Sequence, residues 1–258
     1  MKKLHLREFE SPKEFHEAVD VAKAAWRFSD RLLSPASDMI AATHAGGLTA
    51  GAFEEGRLLG YVHGIPRTNM GVPCQHSHLL AVLPETQGRG LGILLKQFQR
   101  TWCLEHGIQL VTWTYDPFLL KNANLNIKRL RAVAVRILPN FYGPMGGIYH
   151  DVPSDRFEVL WRLDDPIVER AAQAKDPERQ EEELVTLPIA TLGRLPNVTR
   201  VRLPFPGGAP EIYRTDAEGT IKARKRFAAI ATKLFEAGFE VTGVGELKTG
   251  PAYVLDKR

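Results

Sequence analysis

One stretch limits the possible folds more than any other: His76-Ser77-His78-Leu79-Leu80-Ala81-Val82-Leu83-Pro84-Glu85-Thr86-Gln87-Gly88-Arg89-Gly90-Leu91-Gly92, continued by Ile93 to His106. Leu79 to Leu83 is a short apolar run closed by Pro84, the pattern of a buried strand. Beyond the glycines, Leu91, Leu94, Leu95, Phe98 and Trp102 recur at helical spacing, and Gly107 stands at the C′ stop position. A strand, a glycine-rich turn and a helix therefore follow one another. Glycine lets the backbone approach a ligand closely, and a helix start presents N–H groups without partners at the positive end of its dipole. Such a turn is an anion site made of main chain, suited to a pyrophosphate.

The spacing narrows the choice of ligand. A dinucleotide fold has G-x-G-x-x-G directly after its strand, whereas here Leu83 to Gln87 intervene and the glycines run G-x-G-x-G. The Gly-Lys-Ser/Thr of a nucleoside-triphosphate loop is missing. An apolar strand ending Leu-Ala-Val, a Pro-Glu turn, then Gln87-Gly88-Arg89-Gly90-Leu91-Gly92 opening a helix resembles the acyl-CoA-binding motif of the GNAT superfamily of N-acetyltransferases, Gln/Arg-x-x-Gly-x-Gly/Ala. The resemblance implies an α/β fold, a mixed sheet flanked by helices, over residues 1–163. Residues 164–258 then form a linker and a C-terminal α+β extension packed on that sheet. It also implies acetyl-CoA or another acyl-CoA as cosubstrate. Leu80, Ala81 and Val82 would meet the pantetheine arm, in a gap where the central strand and the next parallel strand splay apart. The amides of Gln87, Gly88, Arg89, Gly90, Leu91 and Gly92 would hold the pyrophosphate.

The totals are those of an ordinary soluble globular protein. The chain has 258 residues, 44% hydrophobic and 25% charged, enough for one large domain or a domain with an extension. Met1 to Glu10 has no apolar signal core, and no apolar run approaches a membrane span. Cys74 and Cys103 are too few for a disulfide framework or a four-cysteine metal site and read as free cytoplasmic thiols, so no metal is expected. A net charge of +4 without a basic run interleaved with aromatics gives no nucleic-acid surface.

In chain order, Leu4 to Phe9 alternates as a first strand. Ser11-Pro12-Lys13-Glu14 starts a helix to about Phe28, and a second helix follows Ser34-Pro35 to about His44. Leu48 to Glu54 and Leu58 to Pro66 form a hairpin turning at Glu55-Gly56. Thr68 to Pro73 reads as loop and His76 as the start of the central strand. Ile108 to Tyr115 is a strand; Asp116-Pro117 caps a helix with a stripe of Leu120, Ala123, Ile127 and Leu130. Ala132 to Leu138 is a strand, Pro139 to Asp155 a loop, and Phe157, Val159, Trp161 and Leu163 one face of a further strand. Asp176 to Glu183 is a charge run, read as a solvated face or linker. A strand over Val198 to Pro204, a helix from Thr215-Asp216 to Gly238, and strands over Glu240 to Leu247 and Ala252 to Leu255 complete the pattern.

Acyl transfer to an amine needs a base for the ammonium, a donor for the tetrahedral oxyanion and an acid or anion site for the departing thiolate. A main-chain N–H near Leu80 can serve the oxyanion. Period-two alternation puts His76, His78, Leu80 and Val82 on one strand face, and imidazoles two residues apart can relay a proton near neutral pH. His-x-His-x-Leu-Ala-Val is similar to the serotonin N-acetyltransferase branch, where paired histidines act as a base relay. Many superfamily members place an acid tyrosine in Asn-x-x-Ala-x-x-x-Tyr. The helix beginning Asn122-Ala123-Asn124-Leu125-Asn126 lacks it, so Tyr142 becomes the candidate acid, with Tyr115 behind it. Asn122 and Asn126, poor helix formers one turn apart, suggest contacts to cofactor or substrate.

Trp113-Thr-Tyr-Asp-Pro-Phe, Asn122-Ala-Asn, Asn140-Phe-Tyr-Gly and Pro153-Ser-Asp-Arg-Phe resemble a subgroup of bacterial acyltransferases with a C-terminal extension, some associated with N-succinylamino-acid racemases. The expected activity is transfer of an acetyl or succinyl group to the amine of a small molecule, an amino acid among the candidates. Arg129, Arg131 and Arg156 are cations that could meet an acceptor carboxylate. Protein or peptide N-acetylation, or a non-catalytic CoA-binding regulatory module, is the alternative. No nucleic acid, no membrane and no metal is expected as a partner, and the oligomeric state, homodimer included, is left open.

Overall fold

The computed structural model describes residues 3–69, 71–149, 152–173, 188–191, 193, 197–205, 216–247 and 250–258. The chain divides into two compact units, Met1–Trp113 with Arg162–Asp164, and Thr114–Trp161 with Asp165–Arg258. The expected boundary at 163/164 marks where the resemblance ends. The compact units cut across it.

The first unit is built on a mixed sheet in the order β1 (Leu4–Glu8), β2 (Leu48–Glu54), β3 (Arg57–Asn69), β4 (Val72–Val82), β5 (Leu110–Tyr115), of which β5 runs on into the second unit. β1 to β4 are antiparallel neighbours, and β4 and β5 are parallel. Glu55 and Gly56, with φ of 51° and 78°, make the β2–β3 turn, the double left-handed conformation whose twist suits a two-residue hairpin. Thr68 to Pro73, expected as loop, is instead the end of a second hairpin. β3 continues to Asn69 and β4 starts at Val72, because cross-strand pairing outweighs the turn-like composition.

Helices α1 (Pro12–Trp26) and α2 (Ala36–His44) pack over one face, where Phe15, Ala18, Val21, Ala22, Ala36 and Met39 bury against Phe53, Leu58, Tyr61 and Ala81. Ser11 stands at the N-cap of α1 without a side-chain bond. Glu14 reaches back past it to accept from the Glu10 N–H at 2.7 Å, which ties the entering chain to the first turn. Helix α3 (Leu91–Glu105) lies against β2, β3 and β4. Its buried residues are Leu91, Leu95, Lys96, Gln99, Trp102 and Cys103, while Leu94 is 40% exposed. The expected apolar stripe is therefore rotated, since Gln75 and Ser77 of β4 reach across to Gln99 and Lys96.

The second unit has the strand order β7 (Arg156–Arg162), β6 (Val133–Leu138), β9 (Phe239–Leu247), β10 (Gly250–Lys257), β8 (Arg200–Pro204), with antiparallel neighbours throughout; the last residue of β7, Arg162, counts with the first unit. Helix α4 (Leu120–Ala123) passes into a π-helical turn over Asn124–Arg129, α5 is Pro166–Ala172, and α6 is Ala217–Glu236. Helix α6 buries Phe227, Ala228, Ile230, Ala231 and Leu234. Asp216 caps it by accepting from the Gly219 N–H at 2.8 Å. The charge run Asp176 to Glu183 lies outside the described residues, as do Thr215, His150 and Asp151.

Candidate active site

Strand β4 carries the site, and an extra residue in its ladder shapes it. Gly64 pairs with Ser77 but His63 pairs with Leu79, so His78 is the unmatched residue of a bulge. Before the bulge, Gln75 and Ser77 point to α3. After it, Leu79 and Ala81 pack on the α1/α2 core instead. Alternation then turns the side chains of Leu80 and Val82 to the α3 face. This corrects the expectation that His76, His78, Leu80 and Val82 share a face. His76 and His78 stay together, with ring centroids 6.3 Å apart, on the face opposite α3.

The structure adds a histidine that the sequence reading passed over. His63 of β3 stands 6.3 Å from His78, edge to face, and is 2% exposed. Three imidazoles thus form a ledge. Burial pushes the pKa of His63 down to about 4, with the charge of His78 adding to it. Burial also takes His76 to about 4, helped by His78, Arg67 and Lys96. His78 is exposed along one edge, yet the walls around it thin its hydration and lower its pKa too. All three are neutral near pH 7 and keep a lone pair for a proton. His76 Nδ1 lies 3.2 Å from Thr112 Oγ1, which also accepts from Arg67 Nη1 at 3.1 Å. His78 Nε2 lies 3.2 Å from Ser34 Oγ.

The edge of β4 away from β3 opens just past the ledge. The parallel ladder to β5 is recorded only at Gln75 with Val111 and His76 with Thr112. Leu83 N–H bonds to Leu59 O of β3 at 2.8 Å, so the main-chain groups of Leu80 and Val82 point by alternation to the other edge. Gln87 Nε2 donates to Val82 O at 3.2 Å, which places the turn against the end of the strand. Gln87 to Gly90 are exposed, and Gly88 and Gly90 hold φ of 83° and 80°, the left-handed region that glycine enters at least cost. Gly90 is the N-cap of α3, so the first amides of a fifteen-residue helix face the opening. Leu91 is buried and anchors the turn, and Arg89 pairs with Glu54 at 2.6 Å at the rim.

On the α3 face, Lys96 is buried. Its Nζ donates to Ser77 Oγ at 3.0 Å and Gln99 Oε1 at 2.6 Å and sits 4.0 Å over the Trp113 ring. Burial lowers its pKa to about 7, and burial raises that of Cys103 to about 12. Both Cys74 and Cys103 are free and buried.

The remaining candidates belong to the second unit. Asn126 is buried and Asn122 half-buried, on either side of the change from α- to π-helix. Tyr142 is 46% exposed, edge to face with Phe141 at 4.6 Å, and Arg156 lies 5.4 Å above its ring. Tyr115 is buried, and its hydroxyl donates to Tyr253 Oη at 3.4 Å. Arg156 is 3% exposed and bound up with Asp116 and Asp155, while Arg129 is exposed. Among the described residues, no cluster of three or more His, Cys, Asp or Glu side chains is placed to hold a metal, and no helix is long and apolar enough to cross a membrane.

Residues 5–124 match a family described as the acetyltransferase (GNAT) family. No curated protein matches the sequence. Among solved structures, a protein from Desulfovibrio desulfuricans assigned to the GNAT family is 18% identical, with 62% of this chain and 99% of that one covered and a TM-score of 0.51. The yncA protein of Salmonella typhimurium, solved with its cofactor acetyl-CoA, is 17% identical over 63% of this chain and 95% of its own, with a TM-score of 0.52.

Proposed function

We propose that this chain, residues 5–124 of which match the acetyltransferase (GNAT) family, transfers an acetyl or succinyl group from a coenzyme A thioester to the amine of a small molecule, with amino acids among the candidate acceptors. The observation that carries this reading is the arrangement of β4: three imidazoles on one side, main-chain groups of Leu80 and Val82 on an open edge, and the helix-opening turn Gln87–Gly92 next to them. The thioester supplies the activated acyl carbon. The Leu80, Ala81 and Val82 segment aligns the pantetheine arm along the edge, and the amides of Gln87 to Gly92 take the pyrophosphate. His76 and His78 accept the ammonium proton. The freed amine attacks the thioester carbonyl, the oxyanion is met by a main-chain N–H near Leu80, and as the carbon–sulfur bond breaks the second proton of the nitrogen passes through water to the departing thiolate, leaving amide and free thiol. No step is assigned to Tyr142, Asn122 or Asn126, which belong to the other unit.

Thiol release, followed across a panel of amines with acetyl-CoA and with succinyl-CoA, tests the reaction and separates the two donors. Turnover on amino acids supports the reading. Turnover on peptide N-termini alone would favour peptide acetylation, and a CoA-dependent rise in Tm without turnover on any amine would favour a binding module.

A further inference from the structure

The hydrogen bonds behind His63 run in one direction only. Thr43 Oγ1 donates to Met39 O at 2.8 Å, which uses its single proton. The 2.7 Å contact between Thr43 Oγ1 and Thr49 Oγ1 must then have Thr49 as donor. With that proton spent, the 2.8 Å contact between Thr49 Oγ1 and His63 Nδ1 requires the ring to donate. His63 is thereby held as the Nδ1–H tautomer. Thr49 lies on β2 and His78 on β4, on opposite sides of β3, so the unprotonated Nε2 turns toward His78.

We infer that His63 is a positioning residue of the acyl transfer: its Nε2 accepts the Nδ1–H of His78 through one water, and so reserves His78 Nε2 as the base. The inference rests on the acyltransferase reading and adds an order to the ledge. In the resting protein His78 Nε2 faces Ser34 Oγ; during the reaction the same nitrogen takes the ammonium proton, the amine forms its bond to the acyl carbon, its second proton passes through water to the thiolate as the carbon–sulfur bond breaks, and the exposed imidazolium returns its proton to solvent. The ionisable groups facing His78 are His63 from β3 and His76 from its own strand. Arg67 and Lys96 act on His76.

Two variants separate orientation from packing. His63→Asn keeps a donor at the Nδ1 position for Thr49 but has nothing at Nε2, whereas the longer amide of His63→Gln can set an acceptor near the lost nitrogen. With His63→Asn, kcat should fall about tenfold, less than the hundredfold to ten-thousandfold that a positioned acid–base group itself supplies because His78 remains, with KM little changed. The acid limb of kcat/KM should move to lower pH, because the imidazolium of His78 loses the acceptor of its Nδ1–H. His63→Gln should recover part of kcat. Equal rates and unmoved pH profiles in both variants would overturn the inference, as would imidazole nitrogen shifts in the intact protein placing the His63 proton on Nε2. Absence of transfer by the unaltered protein would sink the functional reading and the catalytic role with it, while the nitrogen shifts would still decide the tautomer.

Discussion

Two polar clusters, one in each unit, show how differently a chain can place charge-bearing groups. In the second unit, Asp116 meets Arg224 at 2.9 Å and Arg156 at 3.7 Å, Asp155 lies 3.9 Å from Arg224, and Arg224 also donates to Pro153 O at 3.0 Å and stacks on Phe118 at 4.1 Å. Two carboxylates face two guanidiniums, and each is all but excluded from water. In the first unit, His63, His76 and His78 sit together, and desolvation lowers the pKa of each. Opposite charges locked together resist change of state, which suits a framework. Neutral imidazoles with a free lone pair can gain and lose a proton repeatedly, which suits a reaction.

The contrast makes predictions that run from large effects to small. Replacing His76 and His78 together by Gln should lower kcat by about a hundredfold to ten-thousandfold, the span of a positioned base, while leaving the denaturation midpoint nearly in place. A large loss of stability with unchanged turnover would reverse the assignment. Asp116→Ala should do the opposite. It leaves Arg224 and Arg156 buried with less countercharge and should cost about 3–5 kcal/mol in denaturant unfolding. An Asp116→Leu, Arg224→Met double variant should cost less than the single one.

Lys96 sharpens the comparison, being buried and ionisable on the face of β4 opposite the ledge. Its folded pKa of about 7 lies below its ordinary value of 10.5, so the unfolded chain holds more protons between those limits. Stability should therefore rise as pH is raised from about 7 toward 10.5, and Lys96→Met should flatten that slope in unfolding measured across the range. The smallest effect concerns the turn. Gly90→Ala has room for its Cβ, whose nearest neighbour is Ile93 Cγ2 at 3.8 Å, but φ of 80° should cost about 1–2 kcal/mol and reduce the rise in Tm that CoA gives.

Much of this was legible in the sequence where local chemistry decides. Glu55-Gly56, Gly88 to Gly92 and Gly107 fix turns by their own conformational freedom, and Phe157, Val159, Trp161 and Leu163 are all buried as their alternation indicates. What escaped depends on partners distant in the chain. His63 looked like any strand residue until Thr49 and Thr43 came alongside it. Lys96 and Gln99 look like a solvated helix face unless Gln75 and Ser77 are known to lie opposite. The pairing of Asp116 with Arg224 joins residues 108 positions apart. Over Leu120 to Leu130 the apolar spacing suits an α-helix, yet a π-helical turn replaces it from Asn124 and ends with Leu130 N–H bonded to Leu125 O.

The unmatched residue at position 78 has a consequence for how this strand can change over time. It acts as a phase slip, letting one ribbon of backbone serve two clients on opposite sides. Single replacements along Cys74 to Val82 touch one client at a time. Deleting the unmatched residue would let Leu79 follow Ser77 in a regular ladder with every downstream side chain on its present face, at the loss of one imidazole, whereas deleting a matched residue would slip the pairing, so the segment should accept many substitutions and few changes of length.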